Sequence, residues 1–174
     1  METAILGGGC FWCIEPVFAR LRGVAEVTPG YCGGQTEAPS YEQVCTGTTG
    51  HIEVVQVRFD PAVLPFEALL QVFFAVHDPT TPDRQGADVG PQYASAIFCQ
   101  STEQKEIAHR VIDEVQAQLG KPVVTQLRGS EPFWPAEQLH HQYFERNPHQ
   151  GYCRLVIAPK MAKFRSRFAD LIEA

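Results

Sequence analysis

Of the six cysteines in this sequence, Cys10, Cys13, Cys32, Cys45, Cys99 and Cys153, the first has the best local case for reactivity. Gly7-Gly8-Gly9 precede Cys10 and a helical pattern follows it. Its sulfur can therefore face the free N–H groups and positive dipole end of a helix, a setting that biases a thiol toward thiolate. At an unperturbed pKa near 8.5 only about 3% of a thiol is ionised at pH 7, so this bias decides whether Cys10 is a competent nucleophile. The alternative is a small residue filling a tight strand-to-helix turn. Cys10-Phe-Trp-Cys13 is also a C-x-x-C spacing, compatible with a disulfide, a redox pair or half of a zinc site. Zinc needs two more ligands, and there is neither a second C-x-x-C nor a suitably spaced histidine pair, His140 and His141 being adjacent. In a C-x-x-C thiol-disulfide oxidoreductase, Phe11 and Trp12 would crowd the approach of a protein partner. Beside a thiolate they suit the wall of a pocket for an apolar group, or core packing for one of the two.

Glu53 lies near the start of the strongest strand pattern, where alternation puts it on the same face as Val55 and opposite Val54. Such a carboxylate either faces solvent on an edge or is buried with a raised pKa as a general acid, and the strand alone favours solvent. Asp88, Tyr41 and Tyr93 fall in or beside two long polar loops, and none of the six histidines adjoins a cysteine in sequence.

The elements that position these residues follow from periodicity. Thr3–Leu6 reads as a strand and Phe11–Arg22 as a helix, with Pro16 leaving its start between Phe11 and Cys13. Val24–Val27 is a strand, Pro29–Gly50 a loop, Ile52–Phe59 a strand, Phe66–Val76 a buried helix and His77–Pro91 a second loop. Ser95–Cys99 and Val123–Leu127 read as strands flanking an amphipathic helix, Thr102–Leu119, and Ala136–Arg146 and Lys160–Ile172 as helices. Strands joined partly by loops and partly by helices suggest an α+β sandwich, helices packed on a mixed sheet.

Composition narrows the classes. A chain of 174 residues without linker or repeat is expected to be a single domain over 1–174. Fourteen Lys+Arg against 20 Asp+Glu give a net charge of −6 with no dense basic cluster, which argues against nucleic acid. The longest nearly apolar stretch, Ala68–Val76, is too short to cross a bilayer. The N-terminus has no basic n-region and no apolar h-region, so a cytoplasmic location with reduced cysteines is expected, and a monomer is the default.

Taken together, Gly9-Cys-Phe-Trp, Tyr31-Cys-Gly-Gly, the run Tyr41-Glu-Gln-Val-Cys-Thr-Gly-Thr-Thr-Gly-His-Ile-Glu-Val-Val, His77-Asp-Pro-Thr, Arg84-Gln-Gly-Ala-Asp-Val-Gly-Pro-Gln-Tyr and Pro135-Ala-Glu closely resemble the peptide methionine sulfoxide reductase A family from about Gly7 to Cys153. The resemblance implies a ferredoxin-like, two-layer α+β sandwich that reduces the S epimer of methionine sulfoxide, free or in oxidised proteins. It assigns the nucleophile to Cys10 and the acid to Glu53, reversing the local reading of that carboxylate. It also assigns the methyl-contacting aromatics to Phe11 and Trp12, the hydroxyls that hold the sulfoxide oxygen to Tyr41 and Tyr93, and a supporting carboxylate to Asp88. It implies a Cys10 sulfenic acid, an intramolecular disulfide, and re-reduction by thioredoxin or, in vitro, dithiothreitol, with no metal or bound cofactor. Gly151-Tyr-Cys153 resembles the family's resolving segment, so Cys153, carried by about 147–174, is the first expectation as resolver. Cys13, where many members have Gly, is the alternative, and Cys32, Cys45 and Cys99 are expected to be ordinary packed thiols.

Overall fold

The computed structural model describes residues 1–172. Its strands are β1 (Glu2–Gly8), β2 (Val24–Cys32), β3 (Ile52–Phe59), β4 (Arg84–Gln85), β5 (Asp88–Val89), β6 (Ser95–Phe98), β7 (Gln126–Arg128) and β8 (Phe133–Pro135). β4 and β5 pair as a short hairpin, and the other six form one mixed sheet in the order β7-β6-β1-β3-β2-β8. Only β6–β7 is parallel among its pairs; β1 runs antiparallel to β3 and β6, and β2 antiparallel to β3 and β8. The helices are α1 (Phe11–Ala19), α2 (Tyr41–Cys45), α3 (Phe66–Val76), α4 (Thr102–Leu119), α5 (Tyr143–Arg146) and α6 (Ala158–Arg167).

Alternation along the strands decides which face the helices cover. Leu6, Val55 and Val57 point into a large core with Phe18 of α1, Leu69 and Phe73 of α3, Val111 of α4 and Met161 and Phe164 of α6. The intervening residues, Ile5, Ile52, Val54, Ala96 and Phe98, form a smaller cluster on the opposite face, capped by Phe133. Glu53 shares the helix face with Val55, as the period of two requires, and is directly opposite Tyr31 in the β2–β3 register. No described helix is long and apolar enough to cross a membrane.

Several expected boundaries change. β2 continues past Val27 to Cys32, because Pro29-Gly30, read as turn punctuation, lies inside the strand. Gly30 is needed there because a Cβ would come within 2.5 Å of the Phe133 ring and the Trp134 carbonyl on β8. β8 itself was hidden between two prolines, Pro132 and Pro135. α1 begins at Phe11 and carries Pro16 internally. The helix expected over Ala136–Arg146 is broken: a 3₁₀ turn at Gln138–His140 leads to Gln142, in the left-handed region at φ 54°, before α5. The break has a partner, since both carboxylate oxygens of the buried Glu15 accept the Gln142 N–H, at 2.8 and 3.0 Å.

Leu6 is wholly buried in the central strand of this core. Leu6→Ala is expected to lower stability by about 2–5 kcal/mol, read as a lower urea midpoint with an unchanged slope.

Candidate active site

β1 delivers Gly7-Gly8-Gly9 straight into α1, and the turn is held by what packs behind it. Gly9 has φ 94°, and a Cβ there would lie 2.7 Å from Gln85 Cγ, so no other residue fits without strain. Behind Gly8 sits the His77 ring, which donates from Nδ1 to the Phe73 carbonyl (2.6 Å) and accepts at Nε2 from Ser95 Oγ (2.7 Å). Burial lowers the His77 pKa to about 4, so the ring is the neutral tautomer these bonds require.

The turn places Cys10 at the N-cap of α1 and almost fully buried. The thiolate bias expected from sequence is outweighed. Burial pushes the thiol well above its ordinary value, with the neighbouring Cys13 thiol and the Glu53 charge adding to the rise, and the Trp12 backbone N–H opposes them only in part. Cys13, one helical turn on, behaves oppositely. Contact with Cys10 is the largest of the influences that lower it to about 7, helped by Lys160 and the Tyr152 hydroxyl and opposed by burial.

Glu53 is fully buried, against the solvent-facing position favoured by the strand alone. Its Oε1 accepts the Phe11 backbone N–H at 3.1 Å, whereas Oε2 is buried without a hydrogen-bond partner. Burial raises its pKa to about 8, the Phe11 bond opposing and the Asp88 and Cys13 charges adding, so the carboxyl is mostly protonated at pH 7. Burial pushes up both the Tyr41 and the Tyr93 hydroxyl, and the Glu53 charge adds to the rise at each, with smaller contributions from Cys45 and Cys10, so both phenols stay protonated.

The remaining predicted residues converge on this spot. Phe11 is wholly buried between Tyr31, Tyr41 and His140, whereas Trp12 is half-exposed and stacks on Tyr143 at 3.9 Å. Asp88, on the hairpin, accepts the Tyr152 hydroxyl at 2.8 Å, and the same hydroxyl lies 3.1 Å from Cys13 Sγ. Cys153 is wholly buried at the start of a π-helical turn, Cys153–Ile157, and burial raises its thiol, with the Cys13 charge adding to the rise. Cys32 and Cys99 are buried, but Cys45 is exposed on α2 and is not a packed thiol.

Four contributors were not singled out from sequence. His140 accepts the Trp12 indole N–H at Nδ1 (3.1 Å), and Tyr143 covers the same ring. Glu137 accepts from the Tyr31 hydroxyl (2.9 Å) and the Tyr41 backbone N–H (3.0 Å), bracing the phenol shell. Tyr152 is the fourth; its place next to Cys153 was the available signal. Among the described residues no three His, Cys, Asp or Glu side chains converge as a metal site.

A buried thiol at a helix start, a protonated carboxyl bonded to the next residue's N–H with its second oxygen unpaired, and two phenols with raised pKa match the residue types the sequence motifs imply. The family model for peptide methionine sulfoxide reductase matches residues 2–172. The chain belongs to this family. A peptide methionine sulfoxide reductase MsrA from Thermus thermophilus is 58% identical over 171 residues, covering 98% of this chain and 97% of the relative. Among solved structures, reduced Mxr1 from Saccharomyces cerevisiae superposes with a TM-score of 0.79 at 33% identity, over 87% of this chain and 88% of that one. Mxr1 solved in complex with Trx2 matches with a TM-score of 0.57 at 25% identity, over 80% and 84%. This member of the reductase family therefore has the mixed-sheet α+β fold of its relatives.

The Glu53 carboxyl also makes stability depend on pH. Its pKa is raised from 4.5 to about 8 in the folded chain, so between those values the folded form holds a proton that the unfolded form has lost. Stability contributed this way is present at low pH and falls as pH rises through that window. Glu53→Gln, a neutral isostere, is expected to melt above the wild type at pH 7.5 by an amount on the order of a few kcal/mol or less, with the gap closing toward pH 4. Thermal melts of both proteins across pH 4–9 measure it.

Proposed function

We propose that the chain reduces the S epimer of methionine sulfoxide, free or within oxidised proteins, to methionine. The observation that carries the reading is Glu53: a buried, protonated carboxyl with one oxygen anchored on the Phe11 N–H and the other free beside Cys10. A sulfoxide oxygen departs from sulfur only when it is protonated, and a carboxyl still neutral near pH 7 supplies that proton.

In the first step Cys10 passes its proton to the Cys13 thiolate and attacks the sulfoxide sulfur, while Glu53 protonates the oxygen and Tyr41 and Tyr93 donate hydrogen bonds to it. The hydroxyl then passes from the substrate sulfur to the Cys10 sulfur as the S–O bond and the newly formed bond between the two sulfurs break, so that methionine leaves and Cys10 is left as a sulfenic acid. The substrate has gained two electrons and Cys10 has lost two. Trp12, edged by Tyr41, offers the apolar wall for the methyl group, with Phe11 packed behind. A second thiol then displaces water from the sulfenic acid to form a disulfide. Cys13 stands three residues from Cys10 at the start of the same helix, which supports Cys13 as the first partner, with Cys153, buried at the start of the turn that leads into α6, as the second. A thioredoxin-type dithiol exchanges with the resulting disulfide and carries away the two electrons; Mxr1 has been solved with such a partner.

The same reading takes residues 1–174 as one catalytic domain, a ferredoxin-like two-layer sandwich acting as a monomer in a reducing cytoplasm. Residues 147–174 supply the second resolving thiol, and no bound cofactor takes part. It is supported by one large core that all the major helices share on a single face of the sheet.

With dithiothreitol and a racemic N-blocked methionine sulfoxide, about half of the substrate is expected to be consumed, leaving the R epimer. Loss of the R epimer, or no reduction, overturns the reading. Glu53→Gln should lower kcat/KM by roughly 10²–10⁴ and flatten the fall in wild-type rate that accompanies deprotonation of Glu53 near pH 8. After one turnover without reductant, Cys153→Ser should retain a Cys10–Cys13 disulfide, whereas Cys13→Ser should leave a sulfenic acid that dimedone traps. The reverse pattern moves the first resolving role to Cys153.

A further inference from the structure

Glu15 is a buried ionisable group that the reaction steps above leave without a task. It is only 2% exposed on α1, and both of its carboxylate oxygens accept the Gln142 backbone N–H, at 2.8 and 3.0 Å, across 127 positions of sequence. Gln142 has little else to keep it where it is. Its φ of 54° is a left-handed conformation that a non-glycine residue adopts only against a steric cost. Its side chain is exposed and makes no capping hydrogen bond, although it stands at the N-cap of α5. That helix has four residues, too few to hold together unaided. The start of α5 is therefore fixed from outside, by a carboxylate on α1.

The residues on either side of Gln142 are the ones that orient Trp12. His140 Nδ1 accepts the indole N–H at 3.1 Å, and the Tyr143 ring stacks on the indole at 3.9 Å with 8° between the planes. Trp12 and Glu15 stand at i and i+3 on α1, so one face of the helix carries both the aromatic ring and the carboxylate that holds the ring's supports. Another tie from α1 to this segment, Arg20 to Glu145 at 3.1 Å, is a partly exposed ion pair and holds little by comparison.

We propose that Glu15 is a positioning residue for substrate selectivity. By keeping Gln142 left-handed it fixes His140 and Tyr143 against Trp12, and so sets how closely the indole wall fits the alkyl group on the sulfoxide sulfur. The proposal rests on the reductase reading above, in which Trp12 receives the methyl group, and adds the residue that makes this wall rigid enough to favour methyl over a longer chain. Glu15 acts through Gln142 and touches neither sulfur nor oxygen of the substrate. A wall that is fixed in place rejects an extra methylene, whereas one that gives way accepts it.

The test compares the S epimers of methionine sulfoxide and of its S-ethyl analogue, ethionine sulfoxide, both with dithiothreitol. The wild type is expected to prefer methyl. Glu15→Gln cannot present two acceptor oxygens to the Gln142 N–H, and its KM for methionine sulfoxide should rise about threefold or more while kcat stays within about twofold. Its methyl-over-ethyl ratio of kcat/KM should fall about threefold or more. Adding Gln142→Gly should bring both values back toward wild type, because glycine occupies the left-handed region without that steric cost. Gln142→Val, with Glu15 intact, loads the same position with a β-branched residue and should lower the ratio from the other end; it decides the matter if Glu15→Gln does not fold. Trp12 and Trp134 are the two tryptophans of the chain, so in a Trp134→Phe background the emission of Trp12 should shift to longer wavelength in Glu15→Gln and return in the double variant. A folded Glu15→Gln with KM and ratio within twofold of wild type overturns the proposal, as does a fall in kcat at unchanged KM and ratio, which would place its action on the reacting groups. A wild type without preference for methyl, or a double variant no better than Glu15→Gln, overturns it as well. No reduction of either sulfoxide by the wild type sinks the reductase reading, whereas an unshifted Trp12 emission in Glu15→Gln sinks the positioning role whether or not the protein is active.

Discussion

The arrangement turns on the cost of placing an ionisable carboxyl at zero exposure. Glu53 has one satisfied oxygen and one unsatisfied oxygen, and in such surroundings the cheaper form of the group is the neutral acid. The same desolvation acts on Cys10, the residue before the Phe11 N–H that Glu53 accepts, and keeps it a thiol. The site therefore holds both of its reactive protons at rest. A helix N-terminus alone does not reverse this, because the dipole is worth around 1 kcal/mol whereas burial of a charge without a counter-ion costs several. In the mechanism proposed above, the proton that Cys10 gives up passes to Cys13, three residues on at the start of the same helix.

That environment is sealed by a segment far away in sequence. Trp12 and Glu15 are one turn apart on α1 and share a face. Trp12 grips His140 and Tyr143, and Glu15 grips the backbone of Gln142 between them. The left-handed Gln142 is a strained position for a non-glycine residue, and it persists because a buried carboxylate receives its N–H. Burial also raises Glu15 from 4.5 to about 7, so the folded chain keeps this proton in that window and the group's contribution to stability falls as pH rises through it. The nearby charges that modulate it come from α5, where Glu145 adds to the rise and Arg146 opposes it.

How much of this was legible in sequence depended on range. The strand Ile52–Phe59 and the helices Phe66–Val76 and Thr102–Leu119 follow from local periodicity and match to the residue. The period-two rule also placed Glu53 on the face of Val55 correctly, but it could not say that α1 covers that face, so exposure was misjudged until the family motifs were weighed. Cys10 was misjudged for the same reason in reverse: its helix end was visible, its burial was not. Gly30 and the prolines around β8 read as turns because the contact that requires them, Phe133 against Gly30, spans about a hundred residues. The broken helix after Ala136 depends on Glu15, 127 positions away.

Tyr152 shows how one hydroxyl couples parts of the site that no local pattern connects. Its single proton faces two acceptors, Asp88 Oδ2 at 2.8 Å and Cys13 Sγ at 3.1 Å. When Cys13 is a thiol it can donate its own proton to the Tyr152 oxygen, leaving the phenol proton on Asp88. When Cys13 is a thiolate both acceptors are anionic, and only one can be satisfied. Tyr152 immediately precedes Cys153 in the chain, so the hydroxyl that contacts Cys13 belongs to the segment that carries Cys153. In a disulfide, Cys13 is a weak acceptor with no charge, and the tie that holds Tyr152 against it is lost while the tie to Asp88 stays. In the relay proposed above, the order of thiols is thus tied to the position of one tyrosine proton as well as to the packing of the cysteines.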